Sequence, residues 1–316
     1  MKTQVTATTL PNQSRKGKWK NIFLKNYELY LFLLPAEIIL FCFNYMPMYG
    51  VQMAFRDFKP ALGITGSEWV GFENFRRFFS SHQFGTIMKN TLILSFYEIL
   101  VSFPIPIIMA LVLNQLRFNR FKKVYQVVTY LPHFISTVVL IGMIRIMLSP
   151  SVGLMGAAAD LFHTEAPNLL GEEGAFRSIY VWSGVWQNAG WDSIIYIAAL
   201  AGIDPNLYEA ASVDGATKWQ KIISIDIPSI LPTCIIMFIL RIGSVMNLGF
   251  EKVYLLQNSL NLSVSEVIAT YTYRMGIVKM QYSLSAAIGL FNTLINVILL
   301  IMANKISQKL SNESLW

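Results

Sequence analysis

Charge is what this 316-residue chain has least of: Asp, Glu, Lys and Arg together make up 14% of it, against about 25% in ordinary soluble domains. Two cysteines, Cys42 and Cys234, leave no room for a disulfide framework, and each lies inside a long apolar run. The three histidines, His82, His133 and His163, stand one to a segment without a ligand-spaced neighbour, so no metal site is expected. No Gly-x4-Gly-Lys-Ser/Thr phosphate loop occurs, which excludes ATP binding by that route. Nor does a nucleophile–base pairing or a carboxylate dyad stand out. The chain is not expected to be an enzyme, and no cofactor is expected in it.

Apolar side chains are abundant instead, at 54% of residues with a mean hydropathy of +0.48. Apolar runs of about 18 residues or more are the signature of membrane-spanning helices. Six such runs are present, at Leu29–Met53, Ile87–Leu113, Val124–Leu148, Ile179–Ile203, Ser229–Phe250 and Leu284–Ala303. The first is too long for a cleaved signal peptide and lacks a small-residue cleavage site behind it, so it counts as a span. The expected fold class is an all-α, multi-pass membrane protein of about six transmembrane helices. A basic segment, residues 1–26, precedes a membrane domain covering residues 27–316.

The net charge of +7 could suggest a nucleic-acid partner, but its distribution argues otherwise. Lys2, Arg15, Lys16, Lys18, Lys20 and Lys25 precede the first run; Arg117, Arg120, Lys122 and Lys123 follow the second. Lys218 and Lys221 follow the fourth, and Lys305 and Lys309 the sixth. In a six-span arrangement these all fall on one side, which the positive-inside rule makes cytoplasmic. Both termini are therefore expected in the cytoplasm, with no nucleic-acid site. Lys18, Trp19, Lys20 and Phe23 would suit a short amphipathic turn at the membrane surface.

Between the runs, Trp69-Val70-Gly71-Phe72-Glu73-Asn74-Phe75 suits an interfacial aromatic belt or a short helix lying on the membrane. Phe103-Pro104-Ile105-Pro106 predicts a kink in the second span, and Pro132 a bend at the start of the third. Residues 148–177 are too polar to span and form an external loop open to a delivery protein. No internal repeat supports a secondary transporter.

Polar groups inside apolar runs are costly and mark function by default. The fourth run holds Trp182, Trp186, Asn188, Trp191, Asp192 and Tyr196. Aromatic platforms beside amide and carboxylate groups suit a ligand with C–H faces and many hydroxyls, such as a sugar. Packing or interfacial roles for Trp182 and Trp186 compete with that reading. Glu98, Asp192 and Arg241 fall at similar depth, so Arg241 is expected to meet a carboxylate, either to tie helices together or to line a cavity. Arg145 is a fourth intramembrane charge.

The short polar loop after the fourth run carries Glu209-Ala210-Ala211-Ser212-Val213-Asp214-Gly215, with Ile225-Asp226-Ile227-Pro228 ten residues beyond the glycine. Leu207–Ala211 can form a helical turn, and Gly215 can end it with positive φ. The extended spacing Glu-Ala-Ala-x3-Gly-x9-Ile-x-x-Pro resembles the coupling loop of membrane subunits in binding-protein-dependent ABC importers. The Gly71–Phe75 segment, Tyr30-Leu31-Phe32-Leu33-Leu34-Pro35 and Met147-Leu148-Ser149-Pro150 are similar to the carbohydrate-uptake branch, in its polysaccharide or oligosaccharide permease subgroup.

That resemblance covers nearly the whole chain and implies a type I importer permease fold in a bacterial plasma membrane. It implies a cytoplasmic coupling loop at residues 204–228, with Tyr208, Glu209, Ala210, Ala211, Asp214 and Gly215 at the ATPase. It implies substrate contacts at Trp186, Asn188 and Trp191, with Met246 and Asn247 opposite. The implied partners are a second, homologous permease subunit, two ATPase subunits that hold ATP and magnesium, an extracytoplasmic sugar-binding protein, the carbohydrate itself and membrane lipid. The mechanism implied is alternating access. An ion-gradient-driven carrier of a polar solute, using Glu98 and Asp192, is the main rival; a membrane transferase lacks any motif to support it.

Overall fold

A computed structural model describes residues 25–116, 118–311 and 314–315. The expected amphipathic turn at Lys18–Phe23, the basic residues Lys2, Arg15, Lys16 and Lys20, and Arg117 lie outside the described residues. The chain divides into two units, residues 1–52 and 53–316. In the first, α1 (Tyr27–Leu40) runs on through a π turn at Phe41–Tyr45 and a 3-10 stretch beginning at Tyr49. α1 accommodates Pro35 in its interior and carries no buried side chain.

The second unit opens with a departure from the all-α expectation. β1 (Arg56–Asp57) pairs antiparallel with β2 (Glu68–Trp69), setting Arg56 opposite Trp69. Gly71, at φ +59°, turns the chain into α2 (Glu73–Phe79). Asn74 Nδ2 donates to the carbonyls of Ala54 (3.0 Å) and Arg56 (3.1 Å), which pins the ribbon to the helix. Trp69 stacks on Phe55, so the aromatic segment is part strand and part short helix.

α3 (Phe84–Ser102) and α4 (Pro104–Gln115) form one long apolar stretch, with Pro104 starting the second half. The third apolar run departs further from expectation. α5 (Asn119–Tyr130), a 3-10 turn at Leu131–Phe134 and α6 (Thr137–Met147) do not make a straight helix. The two arms, Arg120–Phe134 and Thr137–Met147, meet at 98° across Ile135 and Ser136, after Pro132 and in the middle of the run rather than at its start. Ile135 is extended there, so the helical ladder breaks and its carbonyl needs another donor. Gln187 Nε2 is that donor, reaching Ile135 O at 2.7 Å.

α7 (Leu154–Leu161) lies within the external loop expected at residues 148–177. α8 (Glu173–Ala201) has 29 residues and is thus about 43 Å long. α9 (Pro205–Val213) begins with Asp204 accepting from Asn206 N. A capping box between Thr217 and Gln220 starts α10 (Lys218–Lys221), which continues through a π turn into α11 (Ile227–Gly243). α12 (Phe250–Leu256), α13 (Leu262–Ser265) and α14 (Ile268–Tyr273) lead to α15 (Tyr282–Ser311).

Among the described residues, four helical stretches are long and apolar enough to cross a membrane: Tyr27–Phe55, Phe84–Gln115, Lys218–Gly243 and Tyr282–Lys309. The bent α5–α6 pair, taken as one broken span, brings the number to five. α8 is long enough but fails on apolarity, because its sequence spends positions on Gln187, Asn188, Asp192 and their polar neighbours. The packing is built around it. Phe176, Val181 and Val185 of α8 bury against Leu94, Ile141 and Val253, and Tyr196 and Leu200 against Ala110 and Ile230. A separate cluster joins Phe78, Ile87, Tyr271 and Ile288.

Gly190 shows how closely α8 and α5 approach. A Cβ there would lie 2.1 Å from Thr129 O, whereas one at Gly142 meets nothing within 4 Å. Gly190→Ala should therefore cost about 1–3 kcal/mol as overpacking and lower the thermal midpoint of the purified protein. Gly142→Ala, in α6, should hold the midpoint or raise it, since Ala favours helix by about 0.8–1.0 kcal/mol over Gly. Equal responses would mean that the α8–α5 approach is not a constraint.

Candidate functional site

Residues on one face of a helix recur three or four apart, and Tyr180, Gly184, Asn188 and Asp192 follow that rule along α8. They line a cavity of about 480 Å³ together with Glu98, Ser102, Thr137, Gln187, Arg241 and the α12 residues Glu251 and Lys252. A second hollow of about 390 Å³ shares Ser102, Asp192 and Arg241 with it and adds Phe103, Pro106, Trp191, Tyr196 and Met237. One hollow is charged, the other mostly apolar, and they meet at Asp192.

Arg241 donates from Nη2 to Glu98 Oε1 at 2.8 Å, joining α11 to α3. Both side chains keep partial exposure on the cavity side, 38% and 27%. The expectation that Arg241 meets a carboxylate holds, and Glu98 is the partner. Holding helices together and lining the cavity prove to be the same position. Arg145, the other intramembrane arginine, donates to Leu255 O.

Lys252 enters the cavity without any signal in the sequence. Its Nζ donates to Tyr180 O at 2.7 Å and sits 4.7 Å from the Tyr180 ring centre. Gly184 leaves room for it, since a Cβ there would stand 2.9 Å from Lys252 Nζ. The every-fourth-residue pattern of α8 could have identified Tyr180 and Gly184; nothing local marks Lys252.

The expected site residues divide. Asn188 and Asp192 face the charged cavity and Trp191 the apolar one. Asn188 Oδ1 lies 3.0 Å from His133 Nδ1, and Trp191 stacks on the His133 ring at 4.4 Å. These side chains thus brace the broken α5–α6 run while facing the hollows. Trp186 lines neither cavity; with Trp182 it occupies an exposed stripe of α8. Met246 is also displaced from expectation. The chain leaves helical geometry after Gly243, which turns Met246 into the Phe78 cluster at 1% exposure. Asn247 borders a small cleft beside Glu98 and Arg241, where its Oδ1 accepts from Asn292 and Asn296.

The polar loop forms a second candidate site. α9 has no buried residue, and Glu209, Ala210 and Asp214 are exposed, with Ala211 partly so. Gly215 adopts φ +75°, the left-handed conformation that ends the turn. Leu207, Val213 and Trp219 are exposed in the same loop, Val213 at 89%. Tyr208 differs: its hydroxyl turns inward and donates to Asp226 Oδ1 at 2.5 Å.

The family described as binding-protein-dependent transport system inner membrane component matches residues 89–312. The polygalacturonan/rhamnogalacturonan transport system permease protein YteP of Bacillus subtilis (strain 168) is 40% identical over 305 residues, 96% of this chain and 95% of its own. Protein LplB of the same organism is 39% identical, with 94% of each chain covered. A crystal structure of a bacterial ABC transporter involved in the import of the acidic polysaccharide alginate contains a chain 38% identical to this one. It superposes with a TM-score of 0.85 over 93% of this chain and 99% of that one. The bacterial alginate ABC transporter in complex with an alginate pentasaccharide-bound periplasmic protein gives 37% identity and a TM-score of 0.86, over 94% and 99%.

The Arg241–Glu98 pair sets up a test by subtraction. Arg241→Met alone leaves Glu98 charged without its partner, a loss of roughly 1–3 kcal/mol for an unsatisfied polar group. Adding Glu98→Gln removes the orphan charge, so the double variant should regain thermal stability relative to Arg241→Met. A double variant as unstable as the sum of the two singles would show that the pair is not coupled.

Proposed function

The chain belongs to the family of binding-protein-dependent transport system inner membrane components, and from that premise we propose how it carries its solute. It is the permease of an ATP-driven ABC importer for a sugar or oligosaccharide. The reading proposed here adds six crossings in a bacterial plasma membrane, with α8 as the polar fourth span and both termini in the cytoplasm. The four apolar stretches and the bent pair are long and apolar enough to supply five of those crossings. α8 adds the sixth by length, its polarity explained by the cavity it lines.

The observation that carries the transport reading is the cavity itself. An otherwise apolar chain concentrates Glu98, Asn188, Asp192, Arg241 and Lys252 around one hollow. Hydroxyl-rich ligands need such donors and acceptors, and the neighbouring Trp191, Phe103 and Tyr196 offer faces for their C–H surfaces. An oligosaccharide fits this mixture. The solutes that the similar systems are named for, polygalacturonan/rhamnogalacturonan and alginate, are the first to test.

The exposed α9 helix, with Glu209, Ala210 and Ala211 along it and Leu207 and Val213 uncovered, is the docking surface for an ATPase subunit in this reading. Apolar side chains exposed in a polar loop favour a protein partner. Two ATPase subunits would hold ATP and magnesium, a second permease of the same kind would complete the path, and an extracytoplasmic binding protein would deliver the sugar. Nucleotide and binding protein then shift the path between outward-open and inward-open populations by their differential affinity for the two. The ion-gradient alternative is not favoured: the family and the similar systems are ABC import components, and Glu98, one of the two carboxylates it would use, is bonded to Arg241.

Trp191 tests the cavity. Trp191→Ala removes an aromatic face worth about 0.5–1.5 kcal/mol, so uptake at limiting sugar should fall several-fold while the binding protein's own sugar affinity stays the same. Because Trp191 also stacks on His133, the thermal midpoint of the variant should be measured alongside. Normal uptake at limiting sugar would remove Trp191 from the path.

A further inference from the structure

Beneath α9 lies a buried carboxylate that docking alone does not explain. Asp226 closes the π turn Ile222–Asp226 at the foot of α11 and has no solvent exposure. Its Oδ1 accepts from Tyr208 Oη at 2.5 Å and its Oδ2 from Gln115 Nε2 at 2.9 Å. Asn114 Nδ2 stands 3.4 Å from Tyr208 Oη and 3.5 Å from Asp226 Oδ1. Three elements share one desolvated group: the end of α4, the body of α9 and the start of α11. Burial, then the bond to Asp226, push the Tyr208 hydroxyl up to about 12, so it remains a proton donor at neutral pH.

A buried charge needs donors, and losing one costs far more than losing an exposed contact. Here Tyr208 and Gln115 come from different elements, so neither α9 nor α4 can move away from α11 without stranding the carboxylate. The loop's other tie, Lys221 Nζ to Ser212 Oγ at 2.6 Å, is exposed and only joins α9 to α10. The π turn adds a second mark, since such insertions in helices recur at functional positions. At their far ends α4 and α11 both reach the apolar hollow, through Pro106 on one side and Met237 and Arg241 on the other.

We propose that Asp226 is a positioning residue for transport: with Tyr208 and Gln115 it locks α9 to α4 and α11, so that displacement of α9 reaches both cavity walls as one movement. This rests on α9 being the ATPase-docking helix. Tyr208 accordingly serves the joint from inside and not the ATPase face, unlike its neighbours Glu209 and Ala210.

The test uses the complete importer reconstituted in vesicles, with its companion permease, ATPase subunits and binding protein. Asp226→Asn keeps the shape of the side chain but places an amide where an acceptor is needed. The ATPase should still co-purify, and sugar transported per ATP hydrolysed should fall at least about five-fold, the low end of coupling between sites. Adding Tyr208→Phe to Asp226→Asn should cause no further loss, because both break one joint. An unchanged sugar-to-ATP ratio in the assembled Asp226→Asn complex would overturn the proposal. Should that variant fail to assemble, Gln115→Met removes a single donor and must lower the same ratio; an unchanged ratio there overturns it equally. Docking is checked separately by Glu209→Cys, which, alkylated with a thiol-specific photo-cross-linker, should cross-link to the ATPase subunit. Without the cross-link the docking reading itself falls; with it and an unchanged ratio, docking stands and the joint does not.

Discussion

Hydrocarbon offers no hydrogen bonds, so every polar group at membrane depth has to be answered by protein or by a water-filled hollow. That constraint organises this chain. The third apolar run breaks at Ile135, just after Pro132, and the carbonyl of Ile135 is served by Gln187 of α8. Asn296 of α15 accepts from the Met246 amide, just beyond the end of α11. Arg241 finds Glu98. Gln187 is on α8, and Glu98 and Arg241 line the hollow beside it; α8 gives up the apolarity that marks the other long helices and leaves a cavity along its Tyr180–Asp192 face.

The cavity and the α9 joint are two consequences of the same economy of polar groups. A chain with 14% charged residues places several of them where they join helices: Glu98 to Arg241 at mid-bundle, Asp226 to its neighbours at the end. Each joint spans elements distant in sequence. Helices tied at a few buried or half-buried polar points move as blocks, because separating any one pair strands a polar group. Alternating access of the path requires movement in blocks of this kind.

Much of this was legible from residues alone. Long apolar runs located the helices, and the spacing from Glu209 to Gly215 announced a capped turn that the structure closes with φ +75° at Gly215. A mid-run arginine demanded a carboxylate, and Glu98 answers. What stayed hidden depends on tertiary placement. Pro132 signalled a bend, but its 98° size and central position depend on α8 supplying partners. The β1–β2 ribbon is two residues per strand, too short for a period-2 pattern to appear. Met246 sits one position from Asn247, yet non-helical backbone sends it to the core. Trp186 shares a helix with Asn188 and Asp192 but not their face. Lys252 is summoned to the cavity by the Tyr180 carbonyl, a contact across 72 positions that no local pattern encodes.

If the hollow around α8 is the solute path, it opens to opposite sides of the membrane with and without nucleotide. Ser102 borders both cavities, and a thiol in place of its hydroxyl is the smallest available probe. In reconstituted importer whose Cys42 and Cys234 are replaced by Ala, Ser102→Cys should react with a membrane-impermeant thiol reagent from the cytoplasmic side without nucleotide. With nucleotide trapped and binding protein docked, it should react from the opposite side. Reactivity from one side in both states, or from neither in any state, would contradict the account.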